Sequence, residues 1–146
     1  MIDLSHPIRA GLITYPGLPA PVITPYLTRE DSREKYASGT EFAMDVITMI
    51  GQTGTYLDAP FHRYGDGADL SRLDLSTLVG LRAEVFHLTD AWDADHRDIG
   101  VEMLAGRDVR DAAVLLHTGW DRHFGTERYG EGAPYLNAAA SQHLIN

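Results

Sequence analysis

The alternation of hydrophobic and polar residues along the chain predicts several short strands. Residues 40–50 first alternate and then become apolar on both faces, which is typical of a strand that enters a sheet from its edge towards its buried middle. Residues 81–88 predict another strand, and the apolar run at residues 112–117 predicts a buried one. Residues 1–5 predict a short strand at the start of the chain.

Helical signals are fewer and shorter. Residues 76–78 predict a single turn, Asp98 is a candidate cap for a short helix over residues 99–104, and Asn137 is a candidate cap for a final helix. Strands and helices do not alternate with the regular spacing of βαβ units, which is about 30 residues. The pattern therefore predicts one mixed α/β domain over residues 1–146.

Three other segments are predicted to be loops. Residues 11–25 contain four of the seven prolines and many apolar residues, so we expect an extended, polyproline-like segment that lies against the domain or a neighbouring subunit. Residues 26–39 are polar and rich in turn-forming residues, which predicts a mobile surface segment. Residues 65–71 (G-D-G-A-D-L-S) resemble one calcium-binding nonapeptide repeat. That architecture needs several stacked copies, so a turn is predicted instead.

Composition and charge exclude several classes of protein. The formal net charge of −9 argues against a nucleic-acid-binding protein, because binding phosphates needs a basic surface. No apolar run approaches the length of a membrane span, and the first residues lack the regions of a signal peptide. The absence of cysteine excludes disulfides, thiolate metal sites and a cysteine nucleophile. These features predict a cytoplasmic protein with no nucleic-acid or membrane partner.

Candidate chemistry is concentrated in residues 47–64, where amide, hydroxyl, phenol, carboxylate and imidazole side chains follow an apolar run. Two glycines in this stretch allow backbone angles that are closed to other residues. Pro60 favours an extended residue before it, so Asp58 and His62 are not expected to be neighbours on one helix. The pattern indicates a rigid, irregular loop that positions functional side chains. The alternative is an ordinary connection whose polar groups cap each other.

This loop resembles the signature of the cyclase family of kynurenine formamidase-like, metal-dependent hydrolases, which reads H-x-G-T-H-x-D-x-P-x-H. Residues 52–62 read Q-T-G-T-Y-L-D-A-P-F-H, so the glycine, threonine, aspartate, proline and last histidine match. Gln52 and Tyr56 replace the first two histidines. The opening I-D-L-S-H-P-I and the segment V-L-L-H-T-G-W at residues 114–120 also resemble the family.

The resemblance implies a swivelling β/β/α fold that assembles into dimers or larger oligomers. A homo-oligomer, at least a dimer, is also expected because residues 11–25 and the final helix present much apolar surface for a small monomer. In the family, a histidine and a glutamate that bind metal lie beyond the segment that matches residues 137–146. The chain is therefore expected to lack the C-terminal part of the domain.

The resemblance also implies a divalent metal, commonly zinc or manganese, bound by the two signature histidines and the aspartate. Gln52 offers only an amide oxygen, and Tyr56 offers a phenol that must first lose a proton, so a zinc site of this type is not expected. Two alternatives remain. Gln52, Tyr56 and Asp58 are oxygen donors that suit manganese, magnesium or calcium. The site can instead work without metal, with His62 activating water, Asp58 orienting its imidazole and Tyr56 donating to the carbonyl oxygen.

The predicted function is hydrolysis of a C–N or C–O bond in a small amide, formamide or lactone by activated water. The arylformamidase reaction of tryptophan catabolism is the family's best-known case. The alternative is a catalytically inactive family member that binds a small ligand or supports assembly.

Six residues are candidates for the site. The catalytic candidates are His62, Asp58 and Tyr56, and Asp58 is also the candidate metal ligand. The candidates for binding the substrate are Gln52, Phe61 and Trp120. Core packing is the alternative role for the two aromatic residues.

The remaining histidines have simpler interpretations. His87 and His117 lie in predicted strands and are interpreted as core or sheet-edge residues. His6 either caps a turn or lines the cleft. His143 lies on the final helix and is interpreted as a surface or partner-contacting residue rather than a metal ligand.

Overall fold

Short strands and short helices make up the computed structural model of the chain, which describes residues 2–145. Within these residues there are six strands, β1 (Val22–Leu27), β2 (Met44–Thr48), β3 (Arg82–His87), β4 (Asp98–Ile99), β5 (Ala112–His117) and β6 (Tyr135–Leu136), and two α-helices, α1 (Arg29–Lys35) and α2 (Ala138–Ile145). Short 3₁₀ helices occur between them, at Pro60–His62, Leu70–Arg72, Leu75–Thr77, Val101–Met103, Trp120–His123 and Glu127–Gly130. The predicted mixed α/β class is confirmed.

The chain forms two compact units, Met1–Tyr56 and Leu57–Asn146, which we call the N-terminal unit and the C-terminal unit. Within residues 2–145, no helix combines the length and the apolar character that crossing a membrane requires.

In the N-terminal unit, β1 and β2 pair in antiparallel fashion, with Val22 opposite Thr48. The prediction of a polyproline-like loop over residues 11–25 is wrong for its last four residues, because these form the first part of β1. Pro25 lies within this strand opposite Asp45, and the register shifts just after it. A proline is tolerated there because an edge strand leaves alternate N–H groups unpaired.

The prediction of a polar, turn-rich segment over residues 26–39 missed α1. Thr28 caps this helix, since its Oγ1 accepts a hydrogen bond of 3.0 Å from the backbone N–H of Asp31. The same hydroxyl donates to Asp31 Oδ2 at 2.7 Å. Ser32 is fully buried, and its hydroxyl accepts from the backbone N–H of Phe42 at 3.0 Å, which ties the helix to the chain that enters β2.

The expected burial of β2 is also wrong. All five residues of this strand are exposed, and Ile47 keeps 61% of its surface accessible. The reason is that within residues 2–145 the sheet contains only β1 and β2, so an apolar residue on either face has little to pack against. The predicted strand at residues 1–5 is not found over residues 2–5, where the backbone N–H of Ser5 instead donates to Asp3 Oδ1 at 2.9 Å.

In the C-terminal unit, β3 and β5 are parallel, and the long connection between them provides the crossover that a parallel pair requires. Both strands lie where the hydrophobic pattern predicts them, although β5 is half-buried rather than fully buried. The core of this unit is a cluster of five buried residues, Phe86, Leu88, Ile99, Leu104 and Ala140. It packs one end of β3 against the turn at Val101–Met103 and against α2.

Asp98 does not cap a helix, contrary to the prediction. It begins β4, which pairs in parallel with β6, and Gly100 precedes the short 3₁₀ helix that follows. Asn137 does cap α2, as predicted, because its Oδ1 accepts from the backbone N–H of Ala140 at 2.9 Å. The side-chain N–H of Asn137 also donates to Asp98 Oδ2 at 3.3 Å, so this cap is tied to the end of β4.

Candidate functional site

The first half of the loop that carries the signature, residues 50–55, belongs to the N-terminal unit, and hydrogen bonds to hydroxyl groups help to hold it. Thr53 is buried and donates from Oγ1 to the carbonyl of Ile50 at 2.7 Å. The backbone N–H of Gly54 donates to Thr14 Oγ1, also at 2.7 Å. The backbone N–H of His6 donates to Thr55 Oγ1 at 3.0 Å, so the main chain of His6 supports the loop. Hydroxyl groups within and beside the loop therefore fix its path.

Gly54 is needed for this path. Its φ angle is +70°, and a Cβ at this position would lie 3.0 Å from Cγ1 of Ile8. A side chain here would be strained in its backbone and crowded by its neighbour. The expectation that a glycine gives the loop a backbone conformation closed to other residues is confirmed at this position.

Gln52 and Tyr56 both lie in the N-terminal unit, Gln52 half-buried and Tyr56 with 37% of its surface exposed. Tyr56 is the last residue of this unit. The roles predicted for their side chains, substrate binding by Gln52 and hydrogen-bond donation to the carbonyl oxygen by Tyr56, stay predictions.

The second half of the loop begins the C-terminal unit and carries Asp58 and His62. Ala59 has φ −104° and ψ 162°, and Pro60 then starts the 3₁₀ helix Pro60–His62. The expected effect of Pro60 on the residue before it is confirmed, and the two side chains do not lie on one α-helix. The chain nevertheless brings Nδ1 of His62 to 3.9 Å from Oδ1 of Asp58.

This pair is close to solvent. The side chains of His62 and Asp58 are 54% and 47% exposed. A distance of 3.9 Å is longer than a hydrogen bond, and an ion pair this exposed adds little to stability. The carboxylate nevertheless stands beside Nδ1 of the ring.

A turn holds the backbone of this short helix. The backbone N–H of Phe61 donates to the carbonyl of Ala68 at 3.1 Å, and that of Tyr64 donates to the carbonyl of Pro60 at 2.9 Å. The predicted turn in residues 65–71 is confirmed, since the N–H of Gly67 donates to the carbonyl of Tyr64 at 2.9 Å. The hydrogen bond between the turn and the short helix therefore holds the backbone near His62 in place.

Asp58 and His62 line an open cavity of about 350 Å³ within the C-terminal unit. Its other lining residues are Leu57, Ala59, Phe61, Asp69, Leu70 and Ser71. The wall is mainly apolar with a few polar groups, which is the usual character of a site for a small organic molecule. Phe61 lies on this wall, and its predicted role in binding the substrate stays a prediction.

Sequence reasoning missed Asp69 and Ser71 as residues of this cavity. Oδ1 of Asp69 accepts hydrogen bonds from the hydroxyl of Ser71 at 2.6 Å and from its backbone N–H at 3.0 Å. These hydrogen bonds, that from the hydroxyl first, lower the pKa of Asp69 below its usual value. The cavity therefore carries a second fixed negative charge. In the sequence, the Asp-x-Ser spacing of Asp69 and Ser71, just after the turn that contains Gly65 and Gly67, indicates a carboxylate that accepts hydrogen bonds from the residue two positions later.

Trp120 is placed elsewhere in the C-terminal unit. It is buried, its Nε1–H donates to the carbonyl of Tyr129 at 3.1 Å, and its ring meets that of Trp92 edge to face at 5.4 Å. It lines another cavity, together with Trp92 and Arg128. Trp120 is not among the residues that line the cavity of Asp58 and His62, and its contacts support its alternative role in core packing.

The residues present do not fit a zinc site built from histidine and carboxylate ligands. Zinc sites in proteins use three or four such ligands or cysteines. Within residues 2–145, no three side chains of histidine, cysteine, aspartate or glutamate come together closely enough to hold an ion. Gln52 and Tyr56 supply neutral oxygen atoms at the positions where the signature has histidine.

Comparison with known proteins gives a consistent result. The model of the cyclase family matches residues 2–146. The chain is similar to the kynurenine formamidases of Bacillus cereus (30% identical over 98% of the chain), Geobacillus thermodenitrificans (29% over 98%) and Bacillus cytotoxicus (38% over 98%). The chain spans 62% of the length of each of these relatives.

Proposed function

This chain belongs to the cyclase family, and we propose that it is a hydrolase of the arylformamidase type, which cleaves the C–N bond of a small formamide. The observation that carries the proposal is the position of the imidazole of His62, 3.9 Å from the carboxylate of Asp58 and on the wall of an open, mainly apolar cavity. His62 is the general base in this proposal, and Asp58 is the residue that supports it.

In the proposed reaction, Nε2 of His62 takes a proton from a water molecule as the water oxygen attacks the formyl carbon. This gives a tetrahedral intermediate with a negatively charged oxygen and leaves the imidazole protonated. The C–N bond then breaks, and the leaving nitrogen takes the proton from His62. The products are an amine and formic acid, which releases its remaining proton to water to become formate, and His62 returns to its starting form.

Asp58 supports this cycle through its charge. Its carboxylate stands beside Nδ1 of His62, so it stabilises the imidazolium that forms when water gives up its proton. The contact of 3.9 Å is longer than a hydrogen bond in the free protein. Catalytic hydrogen bonds are often long before substrate binds and shorten in the complex.

The cavity suggests an aromatic formamide rather than a charged substrate. Leu57, Phe61 and Leu70 offer an apolar wall to a ring, whereas Asp58 and Asp69 place negative charge beside it. A neutral formamide fits this combination, and an anionic group close to the two carboxylates does not. The names of the relatives point in the same direction, since each is a kynurenine formamidase.

Formate release tests the proposal. The purified chain is incubated with N-formylaniline and with the formamide of kynurenine, with and without added manganese, and formate and the free amine are measured. Formate and the free amine are expected in equal amounts. Both amounts should increase in proportion to the amount of protein added. If neither substrate is cleaved under either condition, the proposed function is wrong.

A further inference from the structure

His87 and His117 form a histidine pair that the proposed function does not use. They are the last residues of β3 and β5 and lie directly opposite each other in the parallel register. Their Nδ1 atoms are 3.2 Å apart, and their rings meet edge to face with centroids 5.4 Å apart. Both residues are exposed. The backbone N–H of Leu88 donates to the carbonyl of His117 at 2.8 Å, which fixes the strand ends that carry the two rings.

The separation of the two nitrogen atoms matches that of two ligands on one metal ion. Zinc lies about 2.0–2.1 Å from a histidine nitrogen, so two such nitrogens are roughly 2.9 Å apart at a right angle and about 3.4 Å apart at the tetrahedral angle. The observed 3.2 Å falls between these limits. We propose that His87 and His117 together bind one divalent transition-metal ion through their Nδ1 atoms, at the carboxyl end of the β3–β5 pair.

The two histidines lie at a position in the fold where ligands commonly bind. In open parallel sheets, ligands bind outside the carboxyl ends of the strands, and both histidines lie at that edge. Because the strands are parallel and in register, the two side chains reach solvent at the same point. Neither ring has to be pulled out of the core to reach an ion.

Metal binding requires only that one proton move from one nitrogen to the other within a single imidazole ring. Without metal, one Nδ1–H donates a hydrogen bond to the Nδ1 of the other ring. When an ion replaces this proton, the proton moves to Nε2 of the same ring, and both imidazoles stay neutral. Neutral imidazole nitrogen is a ligand that nickel and copper prefer, whereas magnesium and calcium prefer oxygen ligands.

Two ligands form an open site. Within residues 2–145, no third histidine, cysteine or carboxylate joins the pair, so water or an added ligand completes the coordination. Affinity is therefore expected to follow the general order of divalent metals, with nickel bound more tightly than cobalt or manganese.

Nickel binding to the chain, produced without a histidine tag, tests the site. Trp92 provides an optical signal, because its Nε1–H donates to the carbonyl of Thr118, the residue after His117. Titration with nickel chloride is expected to quench tryptophan fluorescence, and calorimetry is expected to show one ion per chain. His87→Gln and His117→Gln should each weaken binding by about tenfold or more, since even groups that only support metal ligands are worth 10–100-fold.

His96→Gln is the matched control. His96 is an exposed histidine near Asp93, with Nδ1 at 3.3 Å from Oδ1, and its removal should leave nickel affinity unchanged. Magnesium chloride should produce no signal. The proposal is overturned if the wild type does not bind nickel, or if both pair variants bind it as the wild type does. It is equally overturned if His96→Gln weakens binding as much as they do. These outcomes do not depend on formamide hydrolysis, so the metal site and the proposed function can fail separately.

Discussion

Gly67 lies against the backbone of Pro60 so closely that a Cβ on Gly67 would be 2.7 Å from the carbonyl carbon of Pro60 and 2.8 Å from the nitrogen of Phe61. These atoms belong to the main chain that carries His62, so they cannot move aside as the end of a flexible side chain does. The turn that contains Gly67 and the 3₁₀ helix Pro60–His62 are therefore packed directly against each other.

The variant Gly67→Ala is expected to destabilise the protein by about 1–3 kcal/mol, the usual cost of forcing an extra carbon into a packed position. It should also reduce formamide hydrolysis, because the backbone before His62 must shift. Urea unfolding measures the first effect. Gly65→Ala is the control, since a Cβ at Gly65 meets no atom within 4 Å. Equal stability of the two variants would contradict this packing.

Removing the cap of the last helix is expected to destabilise the C-terminal unit. Asn137→Ala deletes the oxygen that accepts from the N–H of Ala140, which typically costs about 1 kcal/mol. Asn137→Ser keeps an acceptor at this position and should retain most of the stability. Thermal unfolding of both variants checks the prediction, and an alanine variant as stable as the serine variant would refute it.

His123 is expected to make stability fall at mildly acidic pH. Partial burial against Trp120, followed by the charges of Arg128 and Arg122, lowers the pKa of His123 below its usual value of 6.5. The Nε–H of Arg122 also donates to Nε2 of His123 at 3.3 Å, which requires a neutral ring. Because the unfolded chain binds the proton more readily, the stabilising effect is complete above pH 6.5 and is lost as the pH falls through the lowered pKa.

Unfolding free energies at pH 7.5 and pH 5.5 measure this effect. The wild type should lose more stability on acidification than His123→Gln, whose side chain stays neutral throughout. An identical loss in the two proteins would show that His123 does not contribute.

Tyr56 is predicted from the sequence to donate a hydrogen bond to the carbonyl oxygen of the substrate. If it does, Tyr56→Phe should lower kcat by roughly tenfold or more, as the loss of a hydrogen-bond donor to a developing charge does. If the ring only fills the position of a histidine, kcat should stay within about twofold. Steady-state kinetics on an aryl formamide, with unfolding curves to show that the variant remains folded, decides between the two.

Local signals allowed much of the fold to be predicted. The β-propensity and apolar character of residues 81–88 and 112–117 identified β3 and β5, and Asn137 identified the start of α2. The helix α1 also had a signal, because Thr28 is followed three residues later by Asp31, as in a capping box, but the high polarity of the segment obscured it.

Long-range pairing could not be predicted from local patterns. Asp98 looks like a helix cap, yet its segment pairs with residues near position 135 that are distant in sequence. The burial of β2 was wrongly predicted for the same reason. The residues of a strand do not show how many other strands lie beside it in the sheet. At the candidate site, Asp58, Phe61 and His62 were found from the signature, whereas Asp69 and Ser71 reach the cavity only through the turn that precedes them.

The most direct test of the proposed function is the value of kcat/KM for hydrolysis of an aryl formamide by the wild type, His62→Ala and His96→Ala. General base catalysis is typically worth 10²–10⁴-fold, so His62→Ala should lose activity by about this factor. Its unfolding curve should stay unchanged, because the side chain of His62 is 54% exposed. His96→Ala should keep the activity of the wild type. If His62→Ala hydrolyses the formamide as fast as the wild type, His62 is not the base and the proposed mechanism is wrong.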